Sequence, residues 1–182
     1  KEEELVYVLE GTVEAWVDGV LYPMRQGDFA AFPAGTGICH TFINNGAGVA
    51  VMYTKGVKMI DNTFEHNWGS SSYGLLLKDI RDSFVTGNKF LKNSVGIYME
   101  GSSRIEFKEN TFNENGYAIK LQASCDDNNF LRNNFSSNTF DMVSNGDLVL
   151  NTINSNYWDR YEGYDLNHDN IGDVPYRPVS MY

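Results

Sequence analysis

Positive charge is scarce in this sequence. Its 14 lysines and arginines face 24 aspartates and glutamates, for a formal net charge of −10 and a pI near 4.6. That balance excludes nucleic acid as a partner, because phosphate binding relies on clustered Lys and Arg to release counterions. Long apolar runs are also missing: no stretch approaches the roughly 18 to 20 residues that a membrane-spanning helix needs. The opening residues KEEELVYVLEG have none of the features of a signal peptide, so an export signal is expected to lie outside these residues. Cysteine is rare, with Cys39 and Cys125 alone. Two cysteines make neither a disulfide-rich scaffold nor a C-x-x-C metal site, and their number leaves open whether they pair. The chain is long enough to bury a core as one domain or two small ones.

What is present is a repeat. The pattern N-x-F-x-x-N occurs at Asn62-Phe64-Asn67, Asn88-Phe90-Asn93, Asn110-Phe112-Asn115 and Asn133-Phe135-Asn138. Its phenylalanines stand 26, 22 and 23 residues apart, and a further step of 22 reaches Tyr157. Between the anchors lie short β-type runs, YGLLLKD, VGIYMEG, YAIKLQA and TFDMVSN, whose alternate side chains must face opposite sides. A period of about 22 residues with these runs predicts a parallel β-helix. Stacking the rungs predicts two inward columns, Leu75-Ile97-Ile119-Met142 and Leu77-Met99-Leu121-Ser144, with Val85, Phe107 and Phe130 as a third. Asparagine is expected at the turns because it tolerates left-handed backbone geometry, and equivalent asparagines can bond up the stack as a ladder.

Residues 1–51 lack that period. They read as antiparallel strands, with alternation at Val6, Val8 and Val13 and turn signals at Glu10-Gly11, Asp18-Gly19 and Gly27-Asp28. The stretch Gly27 to Asn44 fits G-x5-P-x-G-x4-H-x3-N, which resembles the second motif of the cupin family, a small β-barrel of jelly-roll type. Glu4 stands seven residues before Gly11, where the first cupin motif places its acidic metal ligand. The histidine pair of that first motif is not among these residues. Glu4 and His40 are thus the candidate remnant of a cupin metal site, two donors where a catalytic centre ordinarily has three firm protein ligands. The expected organisation is all-β: an incomplete cupin-like antiparallel sandwich or barrel over 1–51, a β-helix over 52–155 and an aromatic, acidic cap over 156–182. The exposed edges of a half cupin predict either packing on the first rung or self-association.

The cap sequence NYWDRYEGYDLNHDNIGDVPYRP raises a second metal question. Asp165, Asn167, Asp169 and Asp173 occupy positions 1, 3, 5 and 9 of a loop in which Ile171 offers a carbonyl at position 7, the alternating oxygen pattern of calcium loops. Position 6 is Asn170 rather than Gly, and position 12 is Tyr176 rather than Glu. Two readings stay open: a structural Ca²⁺ site, or a cap whose side chains bond the loop backbone while Tyr157, Trp158, Tyr161 and Tyr164 cover the end of the solenoid.

The wording of residues 52 to 182, including MYTKGVKMIDNTFEHNWGSSSYGLLLKDIRDS, GIYMEGSSRIEFKENTF and the cap, resembles the NosD family. The resemblance implies a periplasmic right-handed parallel β-helix accessory protein for nitrous oxide reductase maturation. It also implies copper as the metal concerned. The implied partners are an ABC transporter membrane subunit and the reductase or a copper chaperone. Soft donors suit Cu(I), and those in this half are Met52, Met59, His66, Met99, Cys125, Met142, His168 and Met181. No two have a ligand spacing that makes a motif, so the copper ligands are unassigned. Met99 and Met142 fall in the inward columns, where methionine packs.

Two other functions compete. A carbohydrate-binding or carbohydrate-active β-helix is allowed by the fold. As an enzyme it would need grouped titratable side chains on an outward face. The outward columns Leu76-Tyr98-Lys120-Val143 and Lys78-Glu100-Gln122-Asn145 offer one carboxylate. A metal-binding cupin activity would rest on Glu4 and His40. No residue is assigned a catalytic role.

Overall fold

Each coil buries the apolar side of three short strands, and each strand finds its hydrogen-bonding partners one coil above and below. The computed structural model describes residues 4–9, 12–33, 40–44, 48–69, 72–145 and 150–181, and its elements are all strands. The Glu10-Gly11 turn and Cys39 lie outside the described residues. Three parallel sheets run along the solenoid for about five turns. The coil strands Tyr73–Lys78, Val95–Glu100, Tyr117–Gln122 and Phe140–Ser144 lie in the first sheet. Thr63–Glu65, Lys89–Leu91, Thr111–Asn113 and Asn134–Ser136 carry the phenylalanine anchors in the second. The third runs from Lys58–Ile60 to Thr152–Asn154.

The register confirms the inward columns. Leu75, Ile97, Ile119 and Met142 pair in line, as do Leu77, Met99, Leu121 and Ser144, and all are buried. Val85, Phe107 and Phe130 form the third column. Phe64, Phe90, Phe112 and Phe135 stack with ring centroids 4.8 to 4.9 Å apart, a separation that matches the spacing of adjacent strands. The column continues to Trp158 and not to Tyr157. Trp158 pairs with Phe135 in register and stacks on it at 4.2 Å, whereas Tyr157 is 60% exposed. The coil-to-coil step rises from 22 residues at Glu100–Gln122 to 23 at Glu106–Asn129 and is still 23 from Phe135 to Trp158, and Asn156, bonded to Asn133, keeps the same step.

The asparagines form ladders as expected. Asn62, Asn88, Asn110, Asn133 and Asn156 make one, each side-chain amide donating to the next side-chain carbonyl at 2.9 to 3.0 Å. Asn67, Asn93, Asn115 and Asn138 make another. The reason for their placement differs from the expected one. The left-handed residue is the one before each asparagine: Asp61, His66, Lys92, Glu109, Glu114, Arg132, Ser137 and Ser155 have φ between 52° and 58°, and Gly87, before Asn88, has φ 69°. The turn thereby aims the following asparagine inward, where its carbonyl caps a backbone N–H of the neighbouring coil. Burying the amides is tolerated because they are hydrogen-bonded there, Asn67 Oδ1 at the start of its ladder being the exception among the described residues.

The antiparallel strands do not form a separate body. Strands β1 (Glu4–Tyr7), β2 (Thr12–Val17), β3 (Val20–Arg25), β4 (Phe29–Phe32), β5 (His40–Asn44) and β6 (Val49–Met52) precede the regular coils. Of these, β6 pairs parallel with Tyr73–Lys78, and β5 pairs parallel with Thr63–Glu65. On their other edges β6 meets β1 and β5 meets β2 in antiparallel fashion. Two sheets therefore run unbroken from solenoid to sandwich, ending in β4 and β3. Of the two expected fates of the half cupin, the structure has it packed on the first rung.

Candidate functional site

Glu4 and His40 stand 36 residues apart in the chain, and the sandwich brings them together. Glu4 lies opposite Phe32 in the β1–β4 pair, and His40 lies opposite Val17 in the β2–β5 pair. His40 Nε2 donates to Glu4 Oε2 at 2.8 Å, while the Phe32 ring stacks flat on the imidazole, centroids 3.7 Å apart. Glu4 is 8% exposed, and its other oxygen, Oε1, is buried with no hydrogen-bond partner among the described residues. Burial pushes the carboxyl pKa up, against the lowering effects of the His40 bond and of the His40 and Lys58 charges. The pair offers an oxygen and a nitrogen donor of the kinds that divalent transition ions accept. Among the described residues, no group of three or more His, Cys, Asp or Glu side chains could hold a metal ion, so the donor set stays at two. No chemical step follows from two ligands alone.

The acidic loop turns its oxygens on itself. Asp165 accepts the N–H groups of Asp169 and Asn170, Asn167 accepts that of Asp169, and Asp169 accepts that of Ile171. Asp173 closes the loop by accepting the Leu166 N–H, while its own N–H donates to the Tyr164 carbonyl. These are Asx-type turns. The aromatic cover is composed differently from the expected one. Trp158, Tyr161 and Tyr176 pack on the last coil, with Tyr161 and Tyr176 edge to face. Tyr157 and Tyr164 remain exposed.

The soft donors are dispersed. Met59, Met99 and Met142 are buried in three different columns. His66 and His168 are exposed turn residues, and Met52 is half-buried at the start of the first sheet. The side chain of Met181 lies outside the described ones. Cys125 is a free, buried thiol whose Sγ donates to the Gln122 carbonyl at 3.2 Å. Burial pushes its pKa up, with backbone hydrogen bonds opposing, so it holds its proton at the expense of the thiolate that binds metals. The described residues do not assemble a copper-binding set.

Three features escaped the sequence reading. Outward on the first sheet, Tyr73 packs on Tyr98 at 4.8 Å and Tyr117 on Phe140 at 5.0 Å, with Lys120 over the Tyr117 ring. Beside them Lys78 Nζ reaches Glu100 Oε1 at 2.9 Å, which occupies the only carboxylate of those columns. Phe32 against His40 is the second. The third is Asp141, 5% exposed, in the column of Gly74, Gly96 and Ala118. There a Cβ on Gly74 would lie 2.7 Å from the Gly96 carbonyl. Asp141 accepts from Asn138 Nδ2, and burial pushes its pKa up while Arg160 opposes. Aligning the columns one position further would have exposed this carboxyl.

Comparison with known families places these segments. The model of the periplasmic copper-binding protein family NosD matches residues 39–163. That of the cupin domain matches residues 1–54. The two matches overlap across β5 and β6, the strands shared by sandwich and solenoid. No curated protein and no solved structure matches the chain.

Proposed function

Because the chain belongs to the NosD family, we propose that it is a non-catalytic periplasmic scaffold assisting assembly of the copper centres of nitrous oxide reductase. Its partners in this reading are an ABC transporter membrane subunit and the reductase or a copper chaperone, with copper as cargo. The observation that carries it is the extent of the family match, from β5 to Gly163, which takes in the whole stack of coils. The physical character of the stack agrees. Asparagine ladders and ring stacks make a stiff column, and on the first sheet the carboxylate of Glu100 is paired with Lys78. That surface suits docking better than general acid and base work, which needs positioned, free titratable groups.

The test is complementation. A nitrous-oxide-respiring bacterium deprived of its own family member would express this chain, and the copper content of its purified reductase would be measured. Restored copper supports the scaffold; a reductase as poor in copper as that of the deletion strain overturns it. A second reading has one observation in its favour. The outward ring pairs Tyr73-Tyr98 and Tyr117-Phe140 offer apolar faces on which sugar rings could rest. Glycan-array binding that Tyr98→Ala abolishes would support it, and an array without binding would dismiss it.

A further inference from the structure

A cavity of about 590 Å³ opens between the last coil and the cap. Among its lining residues are the rings of Tyr157, Trp158, Tyr161 and Tyr176 and the carboxylates of Asp159 and Asp165. Among the described residues, no lysine, arginine or histidine lines it. The neighbouring Arg160 is turned away, its guanidinium donating to the carbonyls of Asn138 and Thr139. Aromatic faces with carboxylates and no competing cation are the chemistry that attracts a positively charged group. A net charge of −10 favours its approach. The carboxylates are held in place yet retain acceptor capacity. Asp159 Oδ2 accepts the Ser137 N–H, leaving Oδ1, and the Asp165 oxygens each accept one loop N–H where each can take two bonds.

The same cavity runs along strand edges. Thr152–Asn154 and Tyr157–Trp158 are the end strands of the third and second sheets among the described residues, and both contribute lining residues. An end strand presents backbone groups that another extended chain can pair with. We infer that this cavity is a docking site for an extended basic peptide segment, with a lysine or arginine side chain seated among the rings and carboxylates. The segment belongs to a partner protein and lies along the outer edge of the last coil. The inference goes beyond the copper reading and does not depend on it.

The probe is the blocked pentapeptide Val-Thr-Lys-Thr-Val, titrated at low salt against the full chain while the indole resonances of its tryptophans are followed by NMR. The glutamate counterpart of the peptide serves as control. A saturable shift confined to Trp158 is expected with the lysine peptide alone. Asp159→Asn, whose amide oxygen can still accept the Ser137 N–H, should weaken binding about fivefold. Tyr157→Ala, at a ring already exposed, should weaken it about threefold without disturbing the fold. Asp82→Asn with Glu106→Gln, elsewhere on the surface, should leave it unchanged. Binding equal in the cavity variants, shifts spread over Trp16 and Trp68, or no saturable shift would overturn the inference. Reductase copper content is a separate readout, so either reading can fail alone.

Discussion

The Glu4 carboxylate and the His40 imidazole meet at 2.8 Å between two sheets, under the flat face of Phe32. Burial raises the Glu4 pKa, so the folded state holds that proton more tightly than the unfolded chain. Its contribution to stability is therefore present below the ordinary carboxylate value and is lost as pH rises through the raised one. Urea unfolding across that window should show the wild type losing stability relative to Glu4→Gln. Parallel pH profiles for the two proteins would refute the assignment.

Phe112 is stacked on both sides, by Phe90 and by Phe135. Phe112→Ala removes two ring contacts and opens a cavity in mid-column, where neighbouring coils cannot collapse without breaking register. A loss of about 3 to 5 kcal/mol is expected in urea unfolding. A cost below about 1 kcal/mol would mean that the coils relax independently.

Asn110 accepts from Asn88 twice and donates to Val85 O and Asn133 Oδ1. Asn110→Ala strands buried partners on the coils above and below. The expected cost is at least about 2 kcal/mol, with the amides of Asn88 and Asn133 gaining the most hydrogen exchange. Exchange confined to the mutated turn would show the ladder to be a set of isolated bonds.

The acidic loop is tested with calcium. Asp165→Ala with Asp169→Ala removes the side-chain acceptors of the Asn170 and Ile171 N–H groups and one of the two that serve Asp169 N–H, and should lower the thermal midpoint whether or not Ca²⁺ is added. Stoichiometric calcium in elemental analysis of the wild type, lost in the double variant, would instead make Asp165, Asn167, Asp169, Asp173 and the Ile171 carbonyl an ion site.

Met99 and Met142 are core packers in separate columns. Met99→Leu and Met142→Leu should each cost under about 1.5 kcal/mol and leave Cu(I) uptake unchanged in a competition assay with a chromophoric chelator. A drop in stoichiometry for either variant would reinstate it as a ligand.

The columns were legible because the repeat forces identical neighbours to meet, so alternation along one run predicts the register of the next. Trp158 was missed where a constant step of 22 was carried past Gln122, beyond which the coils run at 23; following the asparagines to Asn156 would have kept the phase. The left-handed positions were not legible from residue type. They are occupied by Asp, His, Lys, Glu, Arg and Ser alike, since coil closure sets the backbone there and exposed side chains have no say. The Glu4–His40 pair was named as two candidate ligands, but their contact depends on β1 and β5 lying in different sheets, which no local pattern records.

The unbroken passage of two sheets from antiparallel sandwich to parallel coil has a consequence for length. A coil is a unit that pairs only with the units above and below it, so inserting or deleting one leaves both ends intact while moving them apart or together by roughly 4.8 Å. The sandwich at one end and the Trp158 cap at the other make this chain a ruler graduated in coils, and the distance between whatever it holds at its two ends is written in the number of asparagine pairs.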